Sequence, residues 1–271
     1  MKIFDFNIHL AIYNNKDVNS VIHQDMNLDI HGIESGFLFH KEKLINCSGI
    51  NILLFNNQLF NNQHKLNFNQ IEAEFDIVKY TALIDFRRFD VFEYLDNLIE
   101  NGINAIIFNS YLQKITSQDF QKILKICKYA EEKKFIICID GSFGTAKMFE
   151  YENLKLACYI SEYITQTPIV IVHGGSCNVI KAMLLALEKN NVWLDTSFSL
   201  PYYINSSIEI DFAFVLKKMN SDRIVYGSDH PYVDFEQSLA THYNFFNKYK
   251  FKDIEVEKIM FSNSLSLFNE L

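Results

Sequence analysis

From Tyr80 onward, short apolar runs alternate with longer amphipathic stretches at a regular spacing. The runs Tyr80–Phe86, Ala105–Phe108, Phe135–Asp140, Ile169–His173, Val192–Asp195 and Arg223–Gly227 predict buried strands, since they are too short and too uniformly apolar for surface helices. The intervening Val91–Glu100, Ser117–Lys133, Glu150–Ile164, Cys177–Lys189 and Ile208–Met219 predict helices, the first stopped by Asn101-Gly102. Upstream, Lys2–His9 predicts a strand with Ile3, Asp5, Asn7 and His9 on one face and Phe4, Phe6 and Ile8 on the other. A helix over Val18–Ile30, a stop at Gly32 and a second strand over Ser35–His40 complete the beginning. Residues 41–79 are rich in Asn and Gln and read either as a surface insertion or as holding an extra hairpin around Ile50–Phe55 and Gln58–Leu66. Asp253–Phe268 reads as a closing helix.

Strands alternating with helices pair in parallel through right-handed crossovers. Eight strands in 271 residues predict a closed (β/α)8 TIM barrel, one domain spanning residues 1–271. There is no glycine-rich GxGxxG turn to suggest a dinucleotide fold. Hydrophobic residues at 49% and charged residues at 21% suit a globular chain with a large interior. A net charge of -8 without a basic cluster argues against nucleic acid as a partner and leaves a small-molecule substrate, with homo-oligomerisation open. The five cysteines are scattered and form no CxxC pair, so neither a disulfide framework nor a thiolate metal site is expected, only buried thiols in a reducing compartment. The opening MKIFDFNIHL carries Asp5 and Asn7 inside its first apolar run, unlike a signal peptide, and no stretch reaches the ~18 apolar residues of a membrane span. A cytoplasmic location is the resulting expectation.

The predicted strands end in polar residues: Asn7 and His9, His40, Arg87 and Arg88, Asn109, Asp140, His173, Asp195 and Asp229. In a parallel barrel these ends share one rim, where chemistry is kept. Any one of them also reads as a cap of a turn or helix. His9, His173 and Asp229 taken together point to function, and Gly174-Gly175 after His173 would permit a close approach of backbone or ligand. Histidine and aspartate suit zinc or a similar divalent ion, while Asp229 could instead, or in addition, take a proton from water. Arg87 or Arg88 could hold a substrate carboxylate or simply face solvent. Tyr111, Tyr202, Tyr203, His230 and Tyr232 lie on expected rim loops, and Trp193 reads as core.

The motifs FDFNIHL, IVIVHGG, VWLDTSF, RIVYGSDHPY and EKIMFSNSLSLF, in this order, resemble the amidohydrolase superfamily, specifically the amidohydrolase-2 branch of metal-dependent hydrolases and decarboxylases. The resemblance implies a TIM barrel whose first strand supplies an HxH pair to a metal, whose fifth and sixth strands each supply a histidine, and whose eighth supplies an aspartate for metal and proton. Carried onto this chain, the second histidine of the pair is His9, the sixth-strand histidine is His173 and the aspartate is Asp229. Asn7 stands where the first histidine of the pair is expected, and Asp140 where the fifth-strand histidine is. Three readings stay open. His9, Asp140 and Asp229 hold zinc or manganese with Asn7 as a weak participant; or the site is metal-independent, with Asp229 activating water against a carbonyl polarised by His9, Asn7 and His173; or the barrel binds without catalysing. The expected activity is hydrolysis of a small-molecule ester, lactone or amide, with decarboxylation as the alternative.

Overall fold

Eight parallel strands follow one another around a single sheet in the order β1 to β8. They are β1 Phe4–Ile8, β2 Gly49–Leu54, β3 Ile77–Leu83, β4 Ala105–Phe108, β5 Ile136–Asp140, β6 Ile169–Val172, β7 Val192–Asp195 and β8 Ile224–Val225. The computed structural model describes residues 1–10, 30–55, 68–151 and 153–269. Hydrogen bonds from Phe6 N to Tyr226 O (2.9 Å), Asp229 N to Asn7 O (2.9 Å) and His9 N to His230 O (2.7 Å) join the last strand to the first. The sheet therefore closes into the expected (β/α)8 barrel.

The strands form where β-branched and other apolar residues run without interruption, as in the IVIV of β6, because both faces of a barrel strand are covered. One cluster joins Phe4, Phe6, Leu53, Ile107, Val170, Trp193 and Val225 inside the barrel, with Phe261, Leu267 and Phe268 packed against it. Phe268 stacks on Phe4 with ring centroids 5.8 Å apart. A larger cluster packs the outer strand faces, including Ile52, Ile137 and Ile171, against the helices through Leu98, Ile123 and Ala182.

Two expectations need correction. The run Ser35–His40 is not a strand: Ile30–Leu44 is a helix, and β2 is the Gly49–Leu54 segment. Phe37, His40 and Leu44 are buried at helical spacing, while Leu38 and Phe39 stay exposed and made the run look uniformly apolar. Gly36 has no room for a side chain, since a Cβ there would lie 1.8 Å from the Leu10 carbonyl oxygen. The expected grouping of Phe4, Phe6 and Ile8 on one face of β1 also fails, since Ile8 packs in the outer cluster. Phe4 and Phe6 point into the interior cluster, and the pairing with β2 shifts register between Asp5 and Ile8, which breaks the strict period of two before Asn7 and His9. The Val18–Ile30 helix and the Gln58–Leu66 strand fall, Ile30 apart, outside the described residues.

The helix Phe235–Lys248, which sequence patterning passed over, packs against the barrel through Phe235, His242, Phe245 and Phe246. The expected closing helix runs over Asp253–Asn269 with a π turn at Lys258–Ser262. All five cysteines are free thiols, but only Cys47, Cys127 and Cys138 are buried; Cys158 is exposed on the outer side of a helix and Cys177 is half-buried. No helix among the described residues is long and apolar enough to cross a membrane.

Candidate active site

The carboxyl ends of the strands surround a cavity of about 340 Å³ whose polar lining includes His9, Asn109, Tyr111, Asp140, His173 and Asp229. They come from five different strand ends: His9 follows β1, Asn109 and Tyr111 follow β4, Asp140 ends β5, His173 follows β6 and Asp229 follows β8. The sharp exits place them. His173, Phe198 and Asp229 all have left-handed backbone, with φ of 60°, 53° and 63°. Non-glycine residues hold such a conformation only where the surrounding structure enforces it, and they concentrate at functional sites. The Gly174-Gly175 pair also takes positive φ, letting the chain turn sharply behind the His173 ring.

His173 is the best-supported side chain. Its Nδ1 lies 3.2 Å from the Ser197 carbonyl and 3.0 Å from Ser197 Oγ. A carbonyl only accepts, so Nδ1 carries a hydrogen and Nε2 is left for the cavity. Burial disfavours the charged ring, but Asp229, Asp140 and Asp195 outweigh it and raise the His173 pKa above the ordinary value. Asp195 supports this arrangement from below. Its carboxylate accepts from His173 N (3.1 Å), Ser197 N (2.9 Å) and the Ser197 hydroxyl, and burial raises its pKa.

Asp140 faces His173, with Oδ2 3.9 Å from Nε2. It already accepts from Asn109 Nδ2 (2.7 Å), Ser142 N (2.8 Å), Ser142 Oγ (2.5 Å) and Asn153 Nδ2 (3.3 Å). Asp229 faces His9, with Oδ1 3.6 Å from Nε2, and the His9 ring is held edge-on between Phe55 and Tyr232. The Tyr111 hydroxyl is kept neutral by burial and by the nearby carboxylates of Asp140 and Asp229, so it remains a donor.

The anticipated metal donors do not assemble. Among the described residues, no three His, Cys, Asp or Glu side chains form a metal-holding group. Asn7 turns its amide nitrogen to Ser197 Oγ (2.7 Å), leaving Oδ1 buried and without a partner among the described residues. Asp140 is on the His173 side with its oxygens engaged. His9 and Asp229 alone are adjacent, and two donors fall short of the three protein ligands of catalytic zinc. The residues as placed therefore do not fit a metal held by His9, Asp140, Asp229 and Asn7.

The structure sets three further sequence candidates apart from the cavity. Arg87 donates to Gln113 O (2.7 Å) and lies over the Phe86 ring, while Arg88 forks onto Asp90 (2.9 and 2.7 Å) over Tyr94. His230 turns to His40, Nε2 to Nδ1 2.9 Å, and burial lowers its pKa to about 4. Sequence reasoning missed Ser142, Asn153 and Ser197. Only Ser197 had a signal, two residues after Asp195 in the VWLDTSF motif.

Gly227 carries the close packing beneath the site. A Cβ there would lie 2.6 Å from Asp195 Oδ1, 2.8 Å from Ser197 Cβ and 2.9 Å from Asn7 Cβ. Gly227→Ala is expected to cost about 1–3 kcal/mol, as overpacking does, and to displace the support of His173. Urea unfolding reads the first effect; a variant as stable as the parent would show that these contacts yield freely.

A protein-family profile described as amidohydrolase matches residues 126–269, more than half of the chain. The chain belongs to the amidohydrolase family. Comparison with curated proteins gives no sequence match. Among solved structures, an uncharacterised TIM-barrel protein from Bordetella bronchiseptica is 14% identical, covering 100% of this chain and 99% of that one at a TM-score of 0.77. A probable 2-pyrone-4,6-dicarboxylic acid hydrolase from Acinetobacter baumannii is 16% identical, covering 99% and 100% at 0.64. A 2,6-dihydroxybenzoate decarboxylase from Rhizobium is 13% identical, covering 99% of each chain at 0.68. At these identities the likeness concerns the barrel. Members of the amidohydrolase family are generally metal-dependent, which makes a divalent ion compatible with this amidohydrolase without naming one.

Proposed function

We propose that this amidohydrolase hydrolyses a small-molecule ester, lactone or amide, acting as one barrel domain, with Asp229 as the general base and His173 as the electrophile. The observation that carries this is the opposition of the two groups in one cavity: a carboxylate beside His9, and an imidazole whose Nδ1 is taken by Ser197 so that Nε2 faces inward. Asp229 takes a proton from water as the water oxygen bonds to the substrate carbonyl carbon. The negative charge gathering on the carbonyl oxygen is met by Nε2–H of protonated His173 and by the Tyr111 hydroxyl. Collapse of the tetrahedral species breaks the bond to the leaving oxygen or nitrogen, and the proton held by Asp229 passes to it. His9 keeps the Asp229 carboxylate oriented between these steps.

The test is product analysis with protein purified without chelator. Aryl esters, lactones and anilides offered in ¹⁸O water are expected to give an acid carrying one solvent oxygen. Release of carbon dioxide from hydroxybenzoates, with no ester or amide cleaved, would instead establish decarboxylation. Metal content is measured on the same sample: stoichiometric zinc or manganese that is lost in His9→Ala would show that the rim regroups around an ion.

A further inference from the structure

We propose that the rim cavity selects an uncharged substrate with a single aromatic ring and discriminates against the corresponding carboxylate. The bond cleaved rests on the hydrolase reading above; the charge and shape of the ligand rest on the walls alone.

Those walls are aromatic. Phe55, Tyr111, Phe143, Phe198, Tyr202 and Tyr232 all line the cavity. They are braced against one another and against the histidines: Phe198 stacks on Tyr202 at 5.3 Å, and Phe55 and Tyr232 meet the His9 ring edge-on at 5.0 and 5.2 Å. Ring faces and edges of this kind favour a flat, polarisable guest. A volume of about 340 Å³ is near the low end of the ~300–1,000 Å³ typical of ligand pockets, which suits one ring and a short acyl group.

Charge points the same way. Among the described residues, no lysine or arginine lines the cavity. The two arginines that follow β3 are committed to Gln113 and Asp90. The carboxylates that do line it, Asp140 and Asp229, have the same sign as a substrate carboxylate would. A buried anion is tolerated only with a well-placed counter-charge, and here His173 already faces two acids. A neutral carbonyl needs only the hydrogen-bond donors present.

Benzamide and benzoate share a shape and differ in charge, so their binding to the full chain at about pH 8, measured by titration calorimetry, tests the proposal directly. Benzamide is expected to bind at least about tenfold more tightly. Benzoate binding equally or better would overturn the proposal, and so would binding of neither probe. Leu112→Lys puts an ammonium on a half-buried wall position. It is expected to raise benzoate affinity about tenfold and leave benzamide nearly unchanged; a folded variant without that gain would overturn the electrostatic basis. Turnover separates this proposal from the hydrolase reading. Preference for benzamide with no ester or amide cleaved keeps the ligand class and removes hydrolysis. Cleavage of charged esters with preference for benzoate does the reverse.

Discussion

Asp229→Asn is expected to lower kcat by about 10²–10⁴-fold while leaving KM nearly unchanged. The substitution keeps size and shape, and Asn tolerates the left-handed φ of 63° at this position, so the turn that connects β8 to the rim should survive. What is lost is the basic oxygen: an amide cannot take a proton from water. Losing this charge also removes the carboxylate that does most to raise the His173 pKa. The imidazole of the variant should therefore titrate at lower pH than in the parent, visible in the pH dependence of its ring proton resonances. A variant that keeps kcat within a few-fold of the parent would remove Asp229 from the mechanism. A His173 titration that fails to move would break the electrostatic link between the two residues.

The barrel was legible because both faces of its strands are buried, so β4 and β7 stand out as apolar runs with the same bounds in sequence and structure. Patterning failed where burial is one-sided and mixed. Leu38 and Phe39 are exposed apolar residues beside buried Phe37 and His40, and this concealed the helix before β2. The buried face of the helix Phe235–Lys248 sets polar Ser238 and His242 between Phe235 and the Phe245–Phe246 pair, which breaks up its apolar pattern in sequence. At the site, residue types at strand ends pointed to His9, Asn109, Asp140, His173 and Asp229, and an expected rim loop to Tyr111, all of which line one cavity. Sequence could not tell where each side chain turns. Arg87, Arg88 and His230 sit near the rim in the chain, but hydrogen bonds to Gln113, Asp90 and His40 direct them elsewhere. Asn153 holds Asp140 from a helix, and Ser110 N donates to its side-chain oxygen, a contact with no local trace in the sequence.

His242→Gln is expected to lessen the loss of stability in acid. His242 is buried between the barrel and the Phe235–Lys248 helix, with Nδ1 2.8 Å from the Ser238 carbonyl, Nε2 2.9 Å from Thr196 Oγ1 and its ring edge-on to Tyr226. Burial lowers its pKa from 6.5 to about 4. As pH falls below 6.5 the unfolded chain binds a proton that the folded ring refuses until about 4, so the folded state loses about 1.4 kcal/mol per pH unit across that window. His230, lowered to about 4 by burial, acts in the same direction. Asp5 acts in the opposite one: buried beside Ser228 N and Asn7 N, it is pushed up to about 7, so its contribution is full below 3.8 and is lost as pH rises toward 7. Asp195, also raised by burial, acts as Asp5 does, so the groups oppose one another and removal of His242 should shift the slope by the share of that one ring. The variant loses ring packing and is expected to be about 1–3 kcal/mol less stable near neutral pH, so the diagnostic is the slope. Urea unfolding at several pH values between 4 and 6.5 reads it, and a slope equal to the parent's would mean that His242 takes up its proton without unfolding the chain.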